Sequence, residues 1–221
     1  MYNIVDREKE IKMFHRYYGV PKDAKYGESF MSRFPILFQD RKKSMQETCM
    51  CWGIECPKGW YHILEQLCTV LEFQNMKYVK AYNIAIVADQ VKEKFGTLRF
   101  YFSVRTVDDD GVVITEVDEN GDWKSDKLTN RLDDNTHRIV ADYLEMLADK
   151  FIREAEGMTE NTCAKCGTPL DNENKVETEG WITYLCKRCD EQIRNGGSFD
   201  DDDEVEENVY EEPAGKDGEA D

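Results

Sequence analysis

The sequence predicts an α+β fold in which helices cover a small antiparallel hairpin, followed by a cysteine-rich module and an acidic tail. Apolar residues recur at three- and four-residue steps after Gly59 and again after residue 131. Apolar and polar residues alternate between them, along residues 97–105. The predicted units are an α+β domain at 1–157, a small module at 160–195 and a disordered tail at 196–221.

The first two predicted elements precede Gly59. Residues 6–18 predict an amphipathic helix, because their apolar side chains fall on one stripe. That stripe comprises Ile11, Phe14, Tyr17 and Tyr18. The run Phe34-Pro-Ile-Leu-Phe38 predicts a short apolar strand.

A second helix and a hairpin form the predicted centre of the domain. The helix begins after Gly59, and its apolar face would cover a sheet. Its apolar positions are Tyr61, Leu64, Leu67, Cys68 and Leu71. The sheet would consist of residues 84–92 and 97–105, joined by a short turn at Gly96.

Two further elements follow this hairpin. Residues 108–130 predict an inserted surface hairpin, with a turn at Asn120-Gly121. Residues 131–157 predict a third helix that ends at Gly157. Its predicted buried stripe consists of Ile139, Tyr143, Leu147 and Phe151.

Four cysteines in two close pairs indicate a metal site. Cys163-Ala-Lys-Cys166 is followed by nineteen residues and then by Cys186-Lys-Arg-Cys189. This spacing is typical of a zinc ribbon, in which two tight turns each supply two thiolates to one tetrahedral Zn²⁺. The alternatives are a pair of disulfides or unliganded buried thiols. Four thiolates leave no open coordination position, so we expect one structural zinc ion and no catalytic one.

The residues beside these pairs also favour a metal. Gly167 follows the first pair, where a positive φ would let backbone N–H groups turn toward the thiolates. Asp190 holds the matching position after the second pair and tolerates that conformation less well than glycine. Lys165, Lys187 and Arg188 would offset the negative charge of a four-thiolate centre.

A second metal site is a weaker hypothesis. Cys49, Cys51, Cys56 and His62 lie close together in the sequence but fit no common zinc pattern. The pattern favours buried free thiols at a helix entry. Cys68 would lie on the apolar face of its helix.

Charge and hydropathy set the expected surroundings of the chain. Residues 200–221 carry twelve carboxylates against Lys216, so they contribute −11 of the net charge of −17 and leave −6 for the rest. Such a run repels itself, and we expect it to be disordered. No secretion signal and no apolar run of about eighteen residues is seen, so we expect a cytoplasmic protein without a membrane span.

Three stretches carry a resemblance. They are Trp52-Gly-Ile-Glu-Cys56 running into Gly59-Trp60-Tyr61, then Gln90-Val-Lys-Glu-Lys-Phe-Gly-Thr-Leu-Arg-Phe-Tyr-Phe102, then the two cysteine pairs. Together they resemble a family of small uncharacterised proteins encoded by bacteriophages and bacteria. The resemblance implies a helix and a hairpin before a zinc module, and a phage or prophage origin. It carries no catalytic residue to this chain.

Several groups of aromatic and charged residues could form binding surfaces or could belong to the core or to an ordinary solvated face. Trp52, Trp60 and Tyr61 could form an aromatic platform, although aromatics beside a helix start favour the core. Trp181 and Tyr184 could stack on nucleic acid, but residues 160–195 have a net charge of −2 and lack a basic footprint. The hairpin residues Lys92, Glu93, Lys94, Arg99 and Tyr101 are typical of a solvated face.

Catalytic patterns are weak in this chain. The imidazoles His15, His62 and His137 fit no catalytic motif. Carboxylate pairs such as Asp133 with Asp134, or Glu55 with Asp89, could hold Mg²⁺ in a nuclease, but such pairs arise by chance among forty-six carboxylates.

The sequence therefore favours a non-enzymatic accessory or regulatory protein of phage or prophage type that binds a host or phage protein. Its acidic tail, from Asp200 to Glu207, could keep the protein soluble and extended, or it could imitate a phosphate backbone and occupy the basic groove of a host nucleic-acid-binding protein. The alternatives are a nucleic-acid-binding regulator that uses the zinc ribbon, or a metal-dependent hydrolase. The partner and the oligomeric state are open at this point.

Overall fold

The computed structural model describes residues 28–114, 132–178 and 182–197. Its helices and strands, in chain order, are α1 (Glu28–Met31), β1 (Ile54–Glu55), α2 (Tyr61–Tyr82), β2 (Ile84–Lys94), β3 (Thr97–Thr106), α3 (Asp134–Thr159), β4 (Lys175–Glu177), β5 (Tyr184–Cys186) and α4 (Lys187–Arg194). Short 3-10 helices lie at Gln39–Lys42, Cys49–Trp52 and Lys58–Trp60. The mixture of helices with small sheets confirms the α+β class.

The predicted hairpin is the centre of the fold. β2 and β3 pair antiparallel from Ile84↔Thr106 to Lys94↔Thr97, with an irregularity between Ala88 and Gln90. The short strand β1 adds in parallel on the other side of β2, so the strand order is β1-β2-β3. A separate antiparallel pair, β4 with β5, lies in the cysteine-rich module.

Helix α2 also matches its prediction. All five apolar positions expected on its inner face are buried. The helix packs on β2 and on α3, while α3 packs on β3, so the two helices cover the hairpin together. Its C-cap is Asn83, which takes the left-handed conformation at a φ of 54° and donates its N–H to the carbonyl of Val79.

Groups outside the sheet form hydrogen bonds with the edge of β2 that faces away from β3. Asn75 accepts the N–H of Ile86 at 2.7 Å and donates to its carbonyl at 2.9 Å. The side chain therefore replaces a neighbouring strand at that residue. The Ala88 N–H is satisfied in the same way by the carbonyl of Leu37, at 2.8 Å.

The predicted stripe of α3 is only partly on the inner face. Ile139 and Tyr143 are 58% and 51% exposed, and Leu147 and Phe151 are half-buried. The buried stripe consists of Leu144, Ala148, Ile152, Ala155 and Thr159. Thr159 Oγ1 and Glu156 Oε1 accept backbone N–H groups of β3 at 3.0 and 3.2 Å. Polar bonds to β3, together with apolar side chains, therefore define the inner face.

The predicted end of α3 at Gly157 is also wrong, because the helix continues to Thr159. Thr159 donates its hydroxyl to the carbonyl of Glu156, one turn earlier, at 2.6 Å. The same hydroxyl accepts the N–H of Leu98 in β3, and this bond holds the last turn of the helix in place. A tertiary contact therefore overrides the helix-ending tendency of glycine.

The apolar run at 34–38 forms turns instead of the predicted strand. Phe34 N–H donates to Met31 and Phe38 N–H donates to Phe34, at 3.1 and 3.0 Å. Phe30, Phe34 and Phe38 follow one another at four-residue steps. Their rings therefore form one cluster, with centroids of neighbouring rings 5.3 and 6.3 Å apart. Aromatic packing at a helical period therefore outweighed the strand propensity of the run.

Three predicted segments fall wholly or mainly outside the described residues. They are the helix at 6–18, the inserted hairpin at 108–130 beyond residue 114, and the acidic tail after residue 197. The described start of the insertion is a turn in which Asp108 accepts the N–H groups of Asp110 and Val112, followed by a bridge from Val107 to Val113. Among the helices of the described ranges, none has the length and apolar character needed to span a bilayer.

Candidate metal centre

The first cysteine pair lies in a tight turn after α3. Gly167 N–H donates to the carbonyl of Cys163 at 2.9 Å, and Cys163 N–H donates to the carbonyl of Thr168 at 2.8 Å. Gly167 has a φ of 76°, as expected from its place after the pair. The turn brings the side chains of Cys163 and Cys166 to one side.

The second pair is built differently from the expected ribbon turn. Cys186 ends β5 and is the N-cap of α4, and Cys189 lies in the first turn of that helix. Asp190 is helical here and accepts a bond from Arg194 at 2.7 Å. A strand followed directly by a helix therefore takes the place of a second hairpin turn.

The two pairs converge on one point. The four Sγ atoms of Cys163, Cys166, Cys186 and Cys189 all lie within 4.8 Å of one another. Sγ of Cys166 is 3.8 Å from Sγ of Cys186, too far apart for a disulfide, and all eight cysteines are free thiols. Tetrahedral coordination with bonds of about 2.3 Å requires sulfurs about 3.8 Å apart. The donor set and its spacing fit a metal ion.

The electrostatics of the cluster also fit a bound cation. Burial raises the pKa of Cys163, and burial with hydrogen bonds to Cys166 and Cys186 raises that of Cys189. Burial acts in the same direction on Cys166, but hydrogen bonds to Thr168, Cys189 and Cys163 outweigh it and lower its pKa to about 6. A bound cation would favour the ionised form of these sulfurs, which is the form that binds metal.

Arg188 is a cationic side chain that contacts this charge. It hydrogen-bonds to Cys166, and that bond raises the pKa of the guanidinium. The sequence placed Arg188 inside the second pair as a counter-charge. The geometry assigns that role to it through one specific sulfur.

The module is joined to the α+β domain at Gly59 and Trp60. Gly59 N–H donates to the carbonyl of Ala164 at 3.0 Å, inside the first cysteine turn. The Trp60 ring is fully buried, and its Nε1–H donates to the carbonyl of Thr162 at 3.1 Å. Cys163, Ala164, Leu170, Leu185, Cys186 and Cys189 belong to the same buried cluster as the domain core. The metal centre therefore lies against the domain rather than apart from it.

Gly59 has a further role that the sequence did not reveal. A Cβ added at Gly59 would lie 2.3 Å from the carbonyl oxygen of Cys163 and 2.6 Å from that of Ala164. Only glycine permits this approach of backbone to backbone. The only sign of this contact in the sequence was the glycine itself, because a residue with a side chain would start the helix before Trp60 equally well.

The second metal site is absent from the described residues. All four of its candidates are described, yet the metal-ligand cluster found in residues 28–114, 132–178 and 182–197 is the four-cysteine group alone. Cys49 is exposed, and burial raises the pKa of Cys56 to about 12. Cys68 is fully buried, as expected for a residue on the inner face of α2.

The aromatic and carboxylate candidates separate by location. Trp60 and Tyr61 are buried in the core as expected, but Trp52 is 64% exposed. Asp133 caps α3 by accepting the N–H groups of Asn135 and Thr136. Asp89 accepts from Ser103 and is paired with Arg105. These two carboxylates therefore have structural partners.

The nucleic-acid candidates of the module are only partly described. Trp181 lies outside the described residues. Tyr184 is half-buried, and the ammonium of Lys175 lies 3.9 Å from the centre of its ring. Comparison with known proteins adds no assignment, because no protein-family profile, no curated protein and no solved structure matches the chain.

Proposed function

We propose that Cys163, Cys166, Cys186 and Cys189 bind one structural Zn²⁺ that folds the 160–195 module and fixes it to the domain. The observation that carries this is the approach of the four sulfur atoms to within 4.8 Å. Thiolates are the preferred ligands of zinc, and four of them leave no coordination position for a substrate. The ion would act as a cross-link, since metal binding supplies much of the folding free energy of such small units.

Metal analysis of the purified chain tests this proposal. We expect one zinc per chain, and Cys163→Ser should lose the metal together with the structure of the module. Cys49→Ser is the matched control, because Cys49 is exposed and outside the cluster. A metal-free protein that keeps its melting temperature, or equal metal content in both variants, would contradict the proposal.

We infer that the protein is a non-enzymatic accessory or regulatory factor of phage or prophage type, acting in the host cytoplasm by binding another protein. The closed donor set supports a structural rather than a catalytic metal. The charge of −11 in residues 200–221 supports attraction to a basic partner, such as a nucleic-acid-binding protein of the host.

The salt dependence of partner binding tests the role of the tail. An affinity pull-down with the full chain would supply the partner, and the chain without residues 197–221 would be compared with it. We expect the deletion to weaken binding at low salt and to flatten its dependence on salt. An unchanged slope would contradict the role of the tail, and a shift of nucleic acid in a gel at low salt would favour a nucleic-acid-binding regulator instead.

A further inference from the structure

The tip of the β2–β3 hairpin has an unusual residue in its turn. Lys94 pairs with Thr97, so Phe95 and Gly96 alone form the turn. Both have positive φ, at 55° and 74°, which is the geometry of a type I′ turn. Glycine suits its position, but the first position favours Asn or Asp, and a bulky side chain there is strained.

Burial of the ring does not explain why Phe95 occupies this position. Its side chain is 65% exposed, so the core gains little from it. The ammonium of Lys94 lies 5.4 Å from the ring centre, a contact of small energy at an exposed site. A large apolar side chain that is both strained and exposed is typical of a functional position.

The tip is held firmly in place. Glu93 Oε1 accepts the N–H of Gly96 at 2.7 Å. A Cβ added at Gly96 would lie 2.9 Å from Cε2 of Tyr184 and 3.4 Å from Cγ2 of Ile182. Tyr184 is two residues before Cys186, so the tip rests on the metal module. The backbone that carries Phe95 is therefore held in place, which lowers the entropic cost of binding.

The charges beside the tip indicate the chemistry of a partner. The ammonium of Lys92 lies 5.4 Å from the ring centre of Tyr101, as that of Lys94 does from Phe95. Neither lysine has an ion-pair partner in the described part of the chain. An exposed aromatic ring with the ammonium of Lys94 beside it fits an apolar pocket bordered by carboxylates.

We propose that Phe95 is the anchor of a protein-binding surface, inserted into an apolar, carboxylate-rimmed pocket of the partner. The proposal rests on the proposed function, in which the protein acts by binding another protein; the acidic tail would attract a basic region of that partner, and the hairpin tip would meet a separate pocket with an acidic rim. The metal module supports the underside of the tip through Tyr184, and Lys92 and Lys94 pair with the carboxylates of the partner.

Substitution of Phe95 by Asn separates binding from stability. Asn is the favoured residue at this turn position, so Phe95→Asn should raise the melting temperature by about 2–4 °C. A residue that served the fold would give the opposite sign. Met45→Asn is the matched control, because Met45 is an apolar side chain that is 72% exposed outside the hairpin.

Binding would be measured with the metal-loaded full chain and a random-peptide phage-display library as the probe. We expect the selected peptides to be rich in acidic and apolar residues. Their affinity should fall at least about tenfold in Phe95→Asn and stay unchanged in Met45→Asn. Phe95→Tyr should retain most of the affinity.

Three results would overturn the proposal: a lower melting temperature for Phe95→Asn, no enriched peptides, or peptides that bind wild type and Phe95→Asn equally well. Equal binding by the two proteins would show that Phe95 is not the anchor, and it would be consistent with protein binding through another surface. Zinc content measured on the same samples keeps a failure of the metal assignment distinct from both.

Discussion

Substitution of Gly59 by Ala tests how the metal module is joined to the domain. The added Cβ would lie 2.3, 2.6 and 2.7 Å from backbone atoms of Cys163, Ala164 and Gly167. All three are backbone atoms of one turn, so relief requires the turn to move away by about 1 Å. That movement breaks the 3.0 Å bond between Gly59 and Ala164 and lengthens the 3.1 Å bond between Trp60 and Thr162.

Two hydrogen bonds at about 1 kcal/mol each, with the strain of overpacking, give a loss of about 3 kcal/mol in the free energy of unfolding. The melting temperature should fall by about 6–12 °C. Urea unfolding followed by circular dichroism and tryptophan fluorescence would measure the change.

Gly157→Ala is the matched control, with the same substitution in a different environment. A Cβ at Gly157 meets no atom within 4 Å, and the residue lies inside α3. Alanine should therefore stabilise the protein by about 0.5–1 kcal/mol. If Gly59→Ala were as stable as wild type, or if both variants changed stability in the same direction, the close packing of module and domain would be refuted.

Three further predictions concern buried polar groups. Burial raises the pKa of Glu72 from 4.5 to about 7, so the folded protein holds a proton that the unfolded chain has lost. The free energy of unfolding should then fall by about 3 kcal/mol as pH rises from 4.5 to 7. Urea unfolding at several pH values should show a smaller fall for Glu72→Gln than for wild type. An equal fall in both proteins would count against the raised pKa of Glu72. Trp60→Phe removes the donor to Thr162 and should cost about 1–3 kcal/mol, measured by urea unfolding, whereas a cost near zero would mean that water replaces the bond. Asn75→Ala leaves both backbone groups of Ile86 without their partner and should destabilise the protein by about 2–4 kcal/mol in thermal melts, and retained stability would show that another group satisfies them.

The elements that the sequence predicted well are those with one strong local period. The inner face of α2 and the β2–β3 hairpin follow directly from apolar spacing, because each has a single stripe that can face the core. The four thiols were predicted for a similar reason, since two close pairs are a local pattern. In each case the information lies within about thirty residues of sequence.

The elements that were mispredicted depend on partners far along the chain. The inner face of α3 includes small and polar residues such as Ala148 and Thr159, which carry little weight in an apolar pattern, and Thr159 bonds to β3. The segment 34–38 was shaped by contact with α2, where Glu72 accepts the N–H groups of Ile36 and Leu37. Gly59 looked like a helix-start residue, and its contact with the first cysteine turn could not be read from local sequence.

The bond between Trp60 and Thr162 spans 102 positions of the chain. The Trp60 indole therefore leaves the ribosome long before the Thr162 carbonyl, which accepts its hydrogen bond. Throughout that interval the ring has no lasting place in the nascent polypeptide, and it can settle only when synthesis is nearly complete. A product cut short before Thr162 would lack the acceptor for the Trp60 indole and the residues that help to cover its ring, and the exposed aromatic surface would favour aggregation.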